Sequence, residues 1–217
     1  MQKQAKLLKI YKRLLAHFGP QRWWPGDTPF EVIIGAILTQ SANWGNVEMA
    51  IDNLKREKVL NPKKILEIRY SKLEKLIRPS GYFRAKAKKV KAFVKHLVEN
   101  YNGSLKRMFN KSIPELREEL LAIHGIGPET ADSIICYAAY KPTFVVDAYT
   151  KRIGNRVGLF KLGKYYDIKD YFEGNLPKKY QLLNEYHALI VALGKYFCKS
   201  KPICDGCPIF TVCQRKI

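Results

Sequence analysis

The chain has 217 residues, 47% of them hydrophobic, which is enough to bury a core in one domain or two. Lysine and arginine number 39 against 19 acidic residues, and the formal net charge of +20 points to a polyanionic partner. The alternative, a lysine-rich surface built on ion-pair networks, would need acidic residues in matching number, so the composition disfavours it.

The sequence carries no signal for a membrane. No apolar run reaches the roughly 20 residues that a membrane-spanning helix needs. Residues 1–19 mix lysines with leucines at helical spacing and lack the continuous apolar stretch of a signal peptide. We therefore expect a cytoplasmic protein with no membrane partner.

Hydrophobic side chains recur at helical spacing along most of the chain, which predicts amphipathic helices. These stripes cover residues 7–18, 47–54, 90–101 and 182–193. The run 30–38 is apolar on nearly all sides and predicts a helix buried in a core. We expect an all-α protein of about ten helices. The turns are predicted at residues 24–28, 79–81, 102–104 and 125–128.

Two serine–glutamate pairs have the spacing of capping boxes, in which each side chain bonds the other residue's backbone amide at a helix start. They are Ser71 with Glu74 and Ser112 with Glu115. Each pair predicts the beginning of a helix.

Gly125 and Gly127 flank one apolar residue, and Pro128 follows at a position suited to the first turn of a helix. Such a turn can present backbone amides at a helix N-terminus, where a phosphate binds without any side chain. The alternative is a plain turn between two helices, because short glycine turns are common. The motif alone leaves both readings open.

Four cysteines lie within sixteen residues near the C-terminal end: Cys198, Cys204, Cys207 and Cys213, in the spacing C-x5-C-x2-C-x5-C. In a cytoplasmic chain, thiols this close indicate a shared metal more than disulfides. A zinc ion and a 4Fe-4S cluster both accept four thiolates, so the spacing leaves the choice open.

The stretch 123–147 resembles the helix-hairpin-helix and Gly/Pro-Asp signature of the endonuclease III superfamily of DNA glycosylases. Four further motifs make the chain similar to the branch related to 3-methyladenine DNA glycosylase III. They are WWPG at 23–26, LTQ at 38–40, RPSGYF at 78–83 and GIGPETADSIICYA at 125–138.

This resemblance implies a fold of two helical domains with the active site in the cleft between them. Residues 22–140 would form a six-helix barrel that contains the helix-hairpin-helix. Residues 1–21 and 141–217 would form a terminal helical domain with the cysteine loop. Because many superfamily members end in C-x6-C-x2-C-x5-C around a 4Fe-4S cluster, the resemblance favours that cluster over zinc, although the first gap here is one residue shorter.

The resemblance also implies roles for the site residues. The hairpin, His124, Gly125, Ile126 and Gly127, would hold backbone phosphate, and Asp147 would lie at the sugar of the scissile bond. From sequence alone, Asp147 is also explained as the N-cap of a helix that begins at Ala148. The two roles are compatible.

Gln40 matches the position from which relatives insert a glutamine into the base stack, although it also suits an ordinary helix end. Trp24, Pro25 and Trp44 are candidates for the pocket that receives the base, since indole faces stack on bases and attract cationic ones. Core packing explains the tryptophans equally well.

Glu129 stands where bifunctional members of the superfamily carry a lysine nucleophile. A carboxylate cannot form a Schiff base, so we expect hydrolysis of the glycosidic bond without strand cleavage. Glu129 is also a favourable acid in the first turn of a helix.

We therefore predict a base-excision-repair DNA glycosylase that is monofunctional and monomeric. Its substrate would be a damaged base in double-stranded DNA, with an alkylated purine favoured. Two alternatives are a bifunctional glycosylase and lyase for oxidised pyrimidines, and a DNA-binding protein without catalytic activity.

Overall fold

The computed structural model describes residues 2–161 and 163–215. Twelve α-helices and three short turns of 3₁₀ or π helix make up the regular structure of these residues, and no β-strand occurs among them. The predicted all-α class is confirmed. None of the helices in the described ranges is long and apolar enough to cross a membrane.

The chain divides into two compact units. The central unit comprises residues 24–140, and the terminal unit comprises the residues up to 23 together with those from 141 onwards. The first helix, α1 (Gln2–Phe18), belongs to the terminal unit. The central unit contains eight α-helices: α2 (Pro29–Leu38), α3 (Trp44–Arg56), α4 (Pro62–Glu67), α5 (Tyr70–Ile77), α6 (Phe83–Tyr101), α7 (Leu105–Met108), α8 (Ile113–Ala122) and α9 (Pro128–Ser133). A 3₁₀ turn at Arg78–Ser80 follows α5, and α9 continues into a π-helical turn at Ile134–Ala138.

Helix α2 lies in the core of the central unit, as its apolar run predicts. Every residue of it from Phe30 to Leu38 is buried. Glu31 is tolerated there because the Lys55 ammonium lies 2.6 Å from its carboxylate, so the buried charge is compensated. Thr28 begins the helix by accepting a hydrogen bond from the Glu31 amide.

The two capping-box predictions have different outcomes. Ser112 and Glu115 form the reciprocal box at the start of α8. The prediction for Ser71 is wrong, because α5 already begins at Tyr70, with Arg69 as an N-cap that makes no side-chain hydrogen bond. The carbonyl of Arg69 accepts from the first turn of the helix, so Ser71 lies inside α5.

A partly buried ion pair joins the two helices that flank the glycine hairpin. Arg117 on α8 donates from Nε to Oδ1 of Asp132 at 2.9 Å and from Nη2 to Oδ2 at 3.2 Å. Asp132, on α9, is fully buried. This two-pronged contact fixes both the separation and the orientation of α8 and α9.

The terminal unit contains α1 (Gln2–Phe18), α10 (Ala148–Val157), α11 (Tyr165–Glu173), α12 (Tyr180–Tyr196) and a 3₁₀ turn at Phe210–Val212. Its core includes the buried face of α1, the segment before α10, and the apolar stripe of α12. Phe144 stacks on Phe172 with ring centroids 4.1 Å apart. The hydroxyl of Tyr186 donates to the Leu7 carbonyl at 2.9 Å, which ties α12 to α1.

Candidate active site

The hairpin between α8 and α9 uses its two glycines differently. Gly125 has a φ of +83°, in the left-handed region, and a Cβ there would run into the side chain of Lys89. Gly127 is extended, with φ −93° and ψ 178°, and is the N-cap of α9. A Cβ at Gly127 would meet no described atom within 4 Å. The left-handed backbone therefore favours a glycine at position 125, where a side chain would also displace Lys89, whereas position 127 leaves room for a side chain.

The other two predicted hairpin residues face different environments. His124 is exposed, whereas the side chain of Ile126 is buried in the core. The Ile126 amide donates to the Ile123 carbonyl at 3.1 Å, which closes the turn. Ile126 therefore anchors the hairpin, and its side chain is not on the surface.

The structure brings Gln40 to the hairpin. Its side-chain amide donates to the Gly125 carbonyl at 3.0 Å and to the Thr130 hydroxyl at 2.9 Å. The Lys89 ammonium donates to the side-chain oxygen of Gln40. Gln40, two residues after the end of α2, is thus connected to the hairpin, to α9 and to α6.

A buried lysine holds the end of α2 that leads to Gln40. Lys86 donates to the carbonyls of Leu38, at 2.8 Å, and Ser80, at 2.6 Å. Burial, with a smaller contribution from the nearby Lys89, lowers the pKa of Lys86 to about 8. The lysine satisfies carbonyls that the helix end and the 3₁₀ turn would otherwise leave buried.

Trp24 and Trp44 form an aromatic group with Tyr137. The Trp24 ring lies 5.4 Å from Trp44 and 5.5 Å from Tyr137, centroid to centroid. Both tryptophans are partly exposed, while Tyr137 is buried. Pro25, next to Trp24, is exposed. The group therefore joins one buried ring to two partly exposed ones.

Glu129 lies in the first turn of α9 and is exposed. Its backbone carbonyl accepts a hydrogen bond from the Ser133 hydroxyl at 2.8 Å. An acidic residue at this end of a helix interacts favourably with the unsatisfied amides there. No lysine occupies this position.

Asp147 belongs to the terminal unit and is the N-cap of α10. Its Oδ1 accepts a hydrogen bond from the Thr150 amide at 2.7 Å, and its Oδ2 lies 3.6 Å from Nε2 of His187. Burial by itself would raise the pKa of this carboxyl group, but His187 and the Thr150 backbone outweigh burial. The pKa of Asp147 is therefore below its usual value, and the group is a carboxylate at neutral pH.

The segment before Asp147 is fixed from α11. Glu173 accepts from the Phe144 amide at 2.7 Å and from the Thr143 hydroxyl at 2.9 Å. Lys169 is buried and bonds to Glu173 at 2.5 Å, and it also contacts the Phe144 carbonyl at 3.3 Å. These contacts hold the backbone three and four residues before Asp147.

His187 is a site residue that the sequence analysis missed. It lies on α12 and is 5% exposed, with its ring against Phe144. One signal was available: a histidine beside the apolar stripe of residues 182–193, where a titratable side chain would be buried. The partner of that histidine could not be read from the pattern.

The four cysteines line one pocket, together with apolar residues that include Leu193, Phe197 and Ile209. Burial raises the pKa of the Cys207 thiol, and the charges of the other three cysteines act in the same direction. Among the residues that the structure describes, no three His, Cys, Asp or Glu side chains are drawn together closely enough to hold a metal ion.

Two arginines of α10 hold the first part of the cysteine loop. Arg152 donates from Nε to the Cys198 carbonyl at 2.9 Å, and Arg156 donates to the Cys198 sulfur at 3.4 Å. Arg156 also donates to the Ser200 carbonyl at 2.8 Å. In residue type alone, the four thiols that line the pocket are donors that a zinc ion or a 4Fe-4S cluster accepts.

Similarity to known proteins covers almost the whole chain. A provisionally named DNA repair glycosylase of Methanocaldococcus jannaschii is 51% identical over 213 residues, which is 97% of this chain and 96% of that protein. A crystal structure of H. pylori 3-methyladenine DNA glycosylase bound to 1,N6-ethenoadenine is 29% identical, with a TM-score of 0.79. The matched region covers 87% of this chain and 97% of the H. pylori chain.

An endonuclease III trapped as a covalent intermediate with DNA has a TM-score of 0.83 and covers 98% of this chain and 96% of its own. At 23% identity it shows the fold. Residues 34–178 match the HhH-GPD superfamily of base excision DNA repair proteins. With the glycine hairpin, Pro128 and Asp147 all inside the matched segment, the chain belongs to this superfamily and is a base excision repair DNA glycosylase.

Proposed function

We propose that this glycosylase is monofunctional, hydrolysing the N-glycosidic bond of a damaged base in double-stranded DNA with Asp147 as the catalytic carboxylate. The observation that carries the proposal is the state of Asp147. Its side chain is only 14% exposed, yet the pKa is below the usual value, so a negative charge is maintained in a site with little water.

Such a charge suits the chemistry of base removal. The target nucleotide is flipped out of the duplex, and the bond between the base and C1′ breaks as positive charge develops on the sugar. A fixed carboxylate stabilises that charge or orients the attacking water. The water oxygen then forms the new bond to C1′, the released base gains a proton, and an abasic site remains.

Glu129 supports hydrolysis over lyase chemistry. Strand cleavage by a bifunctional enzyme begins with an amine that attacks C1′, and an exposed carboxylate at this position cannot supply one. Lys141 and Lys151 are the nearest lysines along the chain to Asp147 and define the alternative. A Schiff base formed by either lysine would be trapped by borohydride.

The aromatic group in the central unit supports a purine with alkylation damage as substrate. Trp24 and Trp44 offer partly exposed indole faces, with Pro25 beside them, and indoles attract the positive charge that alkylation places on a purine. The similarity to a 3-methyladenine DNA glycosylase bound to a modified adenine supports the same class.

The hairpin, at His124, Gly125, Ile126 and Gly127, would hold a DNA phosphate through backbone amides at the start of α9. The net charge of +20 would strengthen this binding without adding sequence preference. Gln40 would enter the base stack, for which its hydrogen bonds to Gly125 and Thr130 must break. The active protein would be a monomer.

Cys198, Cys204, Cys207 and Cys213 would hold a 4Fe-4S cluster, with zinc as the alternative. Bound thiolates would cross-link the last residues of the terminal unit, so the group would stabilise the fold and not react with DNA. A visible absorption band in the purified protein would identify iron and sulfur, because zinc bound to thiolates is colourless.

The proposal is tested with Asp147→Asn. Asparagine caps helices as well as aspartate does, so this change removes the charge and keeps the cap. Single-turnover base release should fall by at least about 10²-fold, as expected for loss of electrostatic stabilisation, while DNA affinity and thermal stability stay near wild type.

The substrates are duplexes with one methylated purine, oxidised purine, oxidised pyrimidine or deaminated base. Strand cleavage is measured with and without alkali. Cleavage that needs alkali supports hydrolysis, and preference for methylated purines supports the substrate class. Full base release by the Asn variant would contradict the role of Asp147, and a robust borohydride-trapped adduct would contradict monofunctional activity.

A further inference from the structure

His187 is a buried titratable side chain that neither helix capping nor core packing requires. It lies on α12 with 5% of its surface exposed, and its Nε2 faces Oδ2 of Asp147 at 3.6 Å. Its ring packs edge-on against Phe144 with centroids 6.4 Å apart. An apolar residue of similar size would fill this space without the cost of burying a polar ring.

The two oxygens of Asp147 have separate partners. Oδ1 caps α10 by accepting from the Thr150 amide at 2.7 Å. Oδ2 takes no part in that cap and faces His187. Capping therefore explains the aspartate and the orientation of one oxygen, while the histidine acts on the other.

We propose that His187 is a positioning residue that holds Oδ2 of Asp147 in place and maintains the negative charge of the carboxylate during base release. This inference rests on the proposed role of Asp147. The imidazole acts through the carboxylate and does not contact the sugar.

The distance of 3.6 Å lies within the range of an ion pair and exceeds that of a hydrogen bond. Contacts in unliganded active sites are often long and tighten when substrate binds. A carboxylate with little exposure depends strongly on such a partner, because water cannot replace it. The partner also fixes the χ2 torsion, which a single bond to Oδ1 leaves partly free.

Two other charged side chains on the same two helices have partners away from this carboxylate. Glu185 on α12 accepts from the backbone amide of Gln21 at 2.6 Å. Arg152 on α10 donates to the Cys198 carbonyl at 2.9 Å. The carboxylate of Asp147 is therefore faced by the His187 imidazole from α12 and by the neutral Thr150 amide from α10.

The test compares His187→Leu, which removes the N–H group, with His187→Gln, which retains a neutral N–H donor of similar reach. Single-turnover base release is measured across pH, together with DNA affinity and thermal stability. Removal of the imidazole should slow base release by about 10- to 100-fold, the range found when the hydrogen-bond partner of a metal-binding side chain is lost. His187→Gln should recover at least several-fold of that loss.

The pH profile distinguishes positioning from a structural role. Without His187 the carboxylate binds its proton more readily, so the acid limb of the rate profile should move to higher pH. Ile190→Val is the control, because Ile190 lies one turn further along α12 in the same core. The acid limb of its pH–rate profile should stay at the wild-type position.

Each outcome separates this inference from the proposed function. If Asp147→Asn retains base release, the proposed function fails. If Asp147→Asn is inactive but both His187 variants keep the wild-type rate and acid limb, the inference alone is overturned. Equal rates for the Leu and Gln variants would also overturn it. If His187→Leu does not fold, the Gln variant decides the result by its rate and acid limb.

Discussion

The two hairpin glycines allow DNA contact to be separated from folding. Gly127→Ala places a methyl group where no described atom of the chain lies within 4 Å, at an extended backbone that alanine adopts freely. Gly125→Ala is the matched control, since it requires a positive φ and drives Cβ into the side chain of Lys89. The first variant should impair DNA binding and the second should impair stability.

The magnitudes follow from these environments. At position 127 the stability cost is the preference of an N-cap for glycine over alanine, about 1 kcal/mol or less. At position 125 the left-handed backbone costs about 1–2 kcal/mol, and moving Lys89 disturbs its bond to Gln40. A methyl group at 127 would prevent a close approach of backbone and phosphate. Loss of one hydrogen bond to a charged group, worth about 1.5–3 kcal/mol, corresponds to roughly 10- to 100-fold weaker binding.

Fluorescence anisotropy with undamaged and lesion-containing duplexes measures the binding loss, and thermal denaturation measures stability. Because a phosphate contact carries no sequence information, Gly127→Ala should weaken binding to every duplex by a similar factor. Wild-type affinity of this variant would refute the hairpin as a phosphate site. A melting temperature as low as that of Gly125→Ala would refute the claim that position 127 is free of packing.

The remaining predictions concern buried charges and the cysteine pocket. Arg117→Ala leaves the carboxylate of Asp132 buried without its two-pronged partner, so stability in urea should fall by about 3–5 kcal/mol, and Arg117→Ala with Asp132→Asn should recover part of it. Burial raises the pKa of Glu119, but bonds from Lys111 and its neighbours outweigh burial and place it below the usual value. The contribution of Glu119 to the free energy of unfolding is present above the unfolded pKa of about 4.3 and is lost as pH falls through the folded pKa. In the Glu119→Gln variant, the free energy of unfolding should therefore decrease less steeply as the pH is lowered. Cys204→Ser should lower bound iron, visible absorbance and melting temperature together.

The fold was predictable where local chemistry determines it. The all-α class, the buried run 30–38 and the box at Ser112 follow from patterns that act within a few residues, and the structure confirms them. The expected number of about ten helices was too low, because α4 and α7 have six and four residues and are too short to show a periodic stripe. The predicted helix cap at Ser71 is wrong because a sequence with the spacing of a capping box can also lie inside a helix that starts earlier.

The candidate site was predictable only in part. Glycine, proline and N-cap preferences act locally, so the hairpin and the capping role of Asp147 could be inferred. The hydrogen bond of Gln40 to Gly125 and the contact of His187 with Asp147 join residues far apart in sequence, and no pattern in one sequence encodes such pairs. Whether an acidic residue is a structural or a catalytic group likewise depends on its three-dimensional partners.

Three carboxylates with little or no exposure show why those partners matter. Asp132 is held by both prongs of Arg117, and Glu119 accepts bonds from Tyr101 and from the Lys111 ammonium at 2.6 Å. Such carboxylates are already neutralised by close cations and have little charge left for a substrate. Asp147 differs because one oxygen caps a helix and the other faces a titratable ring at 3.6 Å. Asp147 keeps a negative charge that no close lysine or arginine in the described contacts neutralises. Such a charge can stabilise a positive charge that exists only in the transition state.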